Sequence, residues 1–147
     1  MPAQHAAEEA DIRQRFDKMA EAIRAADLDG VMPIYAPDIM TYDVQSPLRR
    51  FGTEGKRKNW VDVFTMFQPP LNCEMRDLTI TVNDDMAFVY SLNRISGTLR
   101  NGDASSGFWV RATACLRKID GNWLIVHDHA SVPLDIESGR AALDLEP

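Results

Sequence analysis

Three turn signals most constrain what this chain can fold into. From Leu71 onward, apolar and β-branched runs are cut by "NDD" at 83–85, "NGD" at 101–103 and "DG" at 120–121. Asn and Gly in these turns supply the positive φ that tight hairpins need. The spacing predicts a four-stranded antiparallel meander over about 71–82, 86–100, 106–118 and 122–132. The N-terminal half has a different period. Ile12, Phe16, Met19 and Ile23 recur at helical spacing with charged residues between them, which predicts an amphipathic helix with one buried stripe. Asp27 is placed to cap a second short helix, "LDGVMPIY", and Pro37 lies just past its end, where a proline cannot continue a helix. "IMTYDV" reads as a strand, and "TEGKRKNWVDVFTMF" as a third helix ended by "QPPL". Helices first and a long meander after them give an α+β architecture: three N-terminal helices packed on a strongly curved, mostly antiparallel sheet that encloses a pocket.

Composition narrows the function classes. With 147 residues, 45% of them hydrophobic, the chain can bury a core without disulfide or metal. Cys73 and Cys115 match no paired motif and read as small apolar residues. The formal net charge of −6 and the lack of a basic cluster speak against nucleic-acid binding. The one basic stretch, "GKRKNW", reads as a solvated helix start. No apolar run is long enough to span a membrane, and the N-terminus lacks the n-region and h-region of a signal peptide, so no membrane partner and a cytoplasmic location are expected. No repeat or linker divides the chain. One domain over 1–147 is expected, with a core of about 8–134 and a tail over 135–147.

Polar residues inside the apolar pattern are the candidates for chemistry. "HDHAS" at 127–131 puts His127, His129 and Ser131 on one face of a strand and Asp128 on the other. Three polar side chains in a row do not suit a dry core, so the histidine face lines either a wet pocket or solvent. A His-x-His pair can ligate a metal, but no further ligands are marked and His5 is remote, so neither a metal nor a cofactor is expected. In "WVRATAC", Trp109, Arg111, Thr113 and Cys115 share a face if no bulge intervenes. Arg111 pointing inward would suit an anionic or carbonyl-bearing ligand. Asp43 reads either as a turn residue before Pro47 or as a pocket carboxylate able to take a proton from beside a carbonyl.

"GVMPIYAPDIMTYD" followed by "G…W…F" resembles the helix–strand–helix opening of the nuclear transport factor 2-like superfamily. The closing "WVRATACLRKIDGNWLIVHDHASVP" resembles the last hairpin of its SnoaL-like and ketosteroid isomerase-like branch, and also the association domain of calcium/calmodulin-dependent protein kinase. The resemblance implies a cone-shaped fold with a small-molecule pocket and commonly a homodimer across the outer sheet face. It places Asp43 at the general-base position of ketosteroid isomerase. The oxyanion-hole donors of that enzyme fall on Met19 and on Thr113–Ala114, so both donors are missing and its steroid chemistry is not expected.

The expected activity is proton abstraction from a carbonyl compound, leading to isomerisation, cyclisation or dehydration. Asp43, His127 and His129 would be catalytic, and Arg111, Thr113, Ser131, Tyr42, Trp60 and Trp109 would bind substrate. The alternative is a non-catalytic ligand-binding or assembly module. The expected partners are a small carbonyl- or carboxylate-bearing ligand and a second copy of the chain.

Overall fold

The computed structural model describes residues 2–147. Helix α1 spans Pro2–Arg24, α2 spans Leu28–Val31, and a 3-10 turn over Met32–Ile34 leads into strand β1, Tyr35–Tyr42. A two-residue strand β2, Arg50–Phe51, precedes α3, Gly52–Met66. The meander comes next, as β3 (Phe67–Asn83), β4 (Met86–Leu99), the short β5 (Ala104–Ser105), β6 (Trp109–Ile119) and β7 (Asn122–Ser131). A small hairpin, β8 (Leu134–Asp135) and β9 (Arg140–Ala141), ends the regular structure. No helix among the described residues is long and apolar enough to cross a membrane.

The three turn signals work as their composition requires. Asp84 (φ 52°) and Asp120 (φ 51°) take left-handed conformations, and Gly121 (φ 83°) continues the last turn where a side chain would be strained. Helix α1 begins well before the apolar stripe, because residues 3–10 are rich in Ala and Glu and the helix simply continues through them. It is tied at that end: Glu8 accepts from Lys118 Nζ at 2.8 Å and from the indole N–H of Trp123. Asp27 caps α2, accepting from the Gly30 N–H at 3.1 Å.

The large sheet runs β2-β1-β7-β6-β4-β3, with β5 on β4, and every pairing is antiparallel except β1 with β7. That parallel pairing was not expected from the sequence, and it adds β1 and β2 to the sheet beyond β7. The α1 stripe Ile12, Phe16, Met19 and Ile23 is buried against the concave face, which offers Ile80, Val82, Ala87, Val89, Ala114, Leu116, Trp123 and Ile125. One irregularity decides what the last strand presents. Leu116 pairs with Ile125 but Cys115 pairs with His127, so Val126 is an extra residue in β7. The bulge reverses the alternation, and both Ile125 and Asp128 face the core.

Candidate functional site

A cavity of about 280 Å³ lies between α1, α3 and the concave sheet face. That is at the small end for ligand pockets. Its wall is mostly apolar, from Phe16, Met19, Val63, Met75 and Val110 among others. Helix α3 contributes Lys56, Asn59, Trp60 and Val63, spaced i, i+3, i+4, i+7 along one face. The basic stretch is therefore only partly solvated. Lys56 and Asn59 are each 7% exposed.

Lys56 is buried because a carboxylate meets it. Its Nζ lies 2.7 Å from Asp128 Oδ2 and 3.2 Å from Thr41 Oγ1, and the Thr41 hydroxyl donates to Asp128 Oδ1. Register explains the meeting: Thr41, Asp128 and Ala114 form one inward row across β1, β7 and β6. Lys56 also sits 5.0 Å above the Tyr35 ring. The Tyr35 hydroxyl accepts from Trp60 Nε1 at 2.9 Å and donates toward Met19 Sδ at 3.7 Å. Asn59 Oδ1 accepts from Arg50 Nη1 at 2.9 Å, and Arg50 is paired with Asp62 at 3.5 Å. This fixes the amide so that Nδ2 is turned from Arg50. Nδ2 is buried and has no hydrogen-bond partner among the described residues.

Burial works against the Lys56 ammonium, but Tyr35 and Asp128, aided by Asp43, outweigh it and hold its pKa above the ordinary lysine value. Lys56 is therefore a fixed positive donor and no amine nucleophile. Burial pushes the Tyr35 phenol up to about 12 and the Cys73 thiol up to about 11, so both cavity groups stay protonated near neutrality.

The sequence candidates divide between the two faces of the sheet. Asp43 is half-buried in the cavity wall, where its Oδ1 accepts from the Val44 N–H at 2.6 Å. Trp60 is in the wall as well. Tyr42, Thr113 and His129 border the cavity but are themselves exposed. His127 is not in the wall. Its ring packs edge-on against Tyr42 at 4.7 Å, beside His129 at 5.5 Å from the same ring, and its Nδ1–H donates to the Met40 carbonyl at 2.7 Å. Of the three residues expected to be catalytic, Asp43 and His129 therefore border the cavity and His127 does not, because the inward position of the "HDH" triplet belongs to Asp128.

The inward reading of Arg111 is corrected too. The β6 register is unbroken from Trp109 to Cys115, so Val110, Ala112 and Ala114 point in and Arg111 points out. Arg111 is exposed and its Nε–H donates to Ser131 Oγ at 3.2 Å, which takes Ser131 out of the pocket with it. Trp109 is also on the outer side, buried beneath the guanidinium groups of Arg76 and Arg94 at 4.9 and 4.8 Å. Its indole N–H donates to Glu146 at 3.1 Å, so the C-terminal tail covers this chain's own tryptophan.

Lys56, Asn59, Asp128 and Thr41 do not stand out in the sequence as site residues. A signal for the first two is nevertheless present, since "KRKNWVDV" places Lys56 and Asn59 on the helical face of Trp60 and Val63. Among the described residues no three His, Cys, Asp or Glu side chains gather as a metal site.

A helical layer on a curved, mostly antiparallel sheet around a cavity with polar groups at its end defines the nuclear transport factor 2-like α+β class. Residues 12–135 match the SnoaL-like domain, and the chain belongs to that family. A nuclear transport factor 2-like protein of unknown function from Pseudomonas putida KT2440 is 32% identical, with a TM-score of 0.86 over 97% of this chain and 98% of that one. A ketosteroid isomerase-like protein from Erwinia carotovora atroseptica shares the fold at 21% identity (TM-score 0.68, 83% and 93% covered). So does the association domain of the C. elegans calcium/calmodulin-dependent protein kinase II, at 18% identity (TM-score 0.67, 88% and 98% covered). No curated protein matches.

Proposed function

We propose that this chain is a small-molecule enzyme that removes a proton from beside a carbonyl, with Asp43 as the base. One observation carries the reading. Of the two carboxylates in the wall of a mostly apolar cavity, Asp128 is committed to Lys56 and Thr41, while Asp43 is in no ion pair among the described residues. A base needs such free lone pairs, and a low-dielectric cavity makes its contact with a substrate C–H productive. The sequence position of Asp43 agrees, because it falls where the ketosteroid isomerase branch carries its base. Trp60 and Tyr42 hold the ligand at the wall and rim. The structure gives no support to a relay through His127. The proton stays on Asp43 until it is returned to another carbon in an isomerisation, given to the alkoxide formed when the carbanion attacks a second carbonyl in a cyclisation, or lost as water with a leaving hydroxyl in a dehydration. The whole chain, 1–147, acts as one domain in this reading.

A second reading, a ligand-binding or assembly module, rests on the outer sheet face. Phe88 and Tyr90 are 46% and 49% exposed and stack at 6.4 Å, with Tyr42 and the two histidines farther along the same surface. A second copy of the chain covering this face gives a homodimer, which is compatible with either reading. The association-domain likeness supports assembly.

Native mass spectrometry of the purified protein against a panel of carbonyl compounds tests the pocket reading. Retention of a small carbonyl compound that is then converted supports the enzyme. Retention without conversion favours the module, and no retention by the intact fold removes both pocket roles.

A further inference from the structure

Resting on the enzyme reading, we propose that the ligand is an electrically neutral carbonyl compound and that Asn59 Nδ2 donates the hydrogen bond that holds its oxygen. Two independent observations lead there. The first is the orphaned donor. A buried amide N–H without an acceptor is costly, and such groups are rare unless something else completes them. Asn59 cannot rotate to relieve itself, because Arg50 holds Oδ1 at 2.9 Å and is itself held by Asp62. The amide is fixed on the α3 face that lines the cavity, one turn beyond Lys56. A fixed donor in an apolar wall is preorganised for an oxygen, and it serves a developing enolate better than the ground-state ketone.

The second observation is the charge of the wall. Its lysine and aspartates are Lys56, Asp43 and Asp128, and no arginine joins them among the described residues. With His129, the remaining ionisable side chain of the lining besides the tyrosines and Cys73, counted as neutral, one ammonium against two carboxylates leaves one negative charge in excess. The only ammonium is already ion-paired at 2.7 Å. With Arg111 on the outer face, a carboxylate ligand would enter without a counter-ion, which an apolar cavity penalises heavily. A ketone, ester or lactone carries no such penalty. The sequence alone leaves carbonyl and carboxylate open, and the placement of Arg111 and Asp128 decides between them. Asn59 is also not one of the positions that match the oxyanion donors of ketosteroid isomerase, Met19 and Thr113–Ala114.

The test uses three bicyclic probes of similar size: α-tetralone, the hydrocarbon tetralin, and 2-naphthoate. Each is titrated calorimetrically into the full chain and into Asn59→Leu. The wild type should bind α-tetralone about three- to tenfold more tightly than tetralin, the worth of one net hydrogen bond, and 2-naphthoate most weakly. Asn59→Leu should erase the advantage of ketone over hydrocarbon while leaving tetralin affinity within about twofold. Arg50→Met, which frees the amide to rotate, should erode the same advantage in part. If the variants do not fold, the wild type still decides. The infrared band of ¹³C-carbonyl α-tetralone should fall in frequency on binding, as a hydrogen-bonded ketone does, and an unshifted band overturns the donor role. Equal loss of ketone and hydrocarbon binding in Asn59→Leu also overturns it. Preference for 2-naphthoate overturns the neutral-ligand claim. Failure of all three probes to bind overturns the pocket reading itself, which separates that failure from the others.

Discussion

Replacing Lys56 by Met keeps most of the stem's volume and removes the charge. The pair it breaks is well shielded, with side-chain exposures of 9% for Lys56 and 18% for Asp128. A surface pair would contribute about 0–1 kcal/mol, but stranding one partner of a buried pair costs about 3–5 kcal/mol. Thr41 still donates to one Asp128 oxygen, which holds the cost near the lower end, about 3 kcal/mol. In urea, with a slope of about 2 kcal/mol/M, that moves the midpoint down by about 1.5 M. The double variant Lys56→Met/Asp128→Leu, which leaves no lone charge, should be more stable than Lys56→Met alone. A Lys56→Met cost below about 1 kcal/mol would refute the view that this pair is buried and tightly coupled.

The wild type should also lose stability in strong alkali through the same pair. Lys56 has a raised folded-state pKa, so its contribution is complete below the unfolded value and fades as pH rises through the folded one; urea midpoints in the alkaline range report this, and Asp128→Asn should flatten the decline. Glu8 makes the opposite case: hydrogen bonds from Lys118 and then Trp123 lower its pKa below 4.5, so its contribution is present above that value and is lost as pH falls through the folded pKa. Glu8→Gln should flatten the acid limb, and an unchanged acid limb would show that the α1 tether does not matter. On the outer face, Phe88→Glu with Tyr90→Glu should turn a dimer into a monomer in sedimentation while leaving the urea midpoint of the monomer nearly unchanged; a monomeric wild type at high micromolar concentration rejects the dimer.

The fold was legible where local chemistry decides it. The Asp84, Gly102 and Gly121 turns and the α1 stripe carry their own geometry, so the helices and the meander could be read directly from period and turn residues. The site was legible only in part, because side assignment is a non-local property. One extra residue, Val126, sets which of His127 and Asp128 faces inward, and nothing in "LIVHDHAS" marks it. The parallel pairing of β1 with β7 brings Thr41 beside Asp128 across a long sequence separation. Lys56 looked solvated because lysine almost always is, and only the carboxylate opposite it makes burial tolerable. Arg111 was assigned to the wrong side for the same reason: alternation groups it with Trp109 and Thr113 but does not say which group faces the helices.

The central claim is that Asp43 takes a proton from a neutral carbonyl compound held in this cavity. Solvent deuterium wash-in at the α-carbon of bound α-tetralone, monitored by proton NMR, measures that step without knowledge of the natural substrate. The wild type should exchange about 10²-fold or more above buffer, as expected for a positioned general base. Asp43→Asn should fall to the buffer rate with its urea midpoint and α-tetralone affinity preserved. Wash-in by Asp43→Asn as fast as by the wild type would contradict the assignment of the base, and binding without wash-in in either protein would contradict catalysis by proton abstraction.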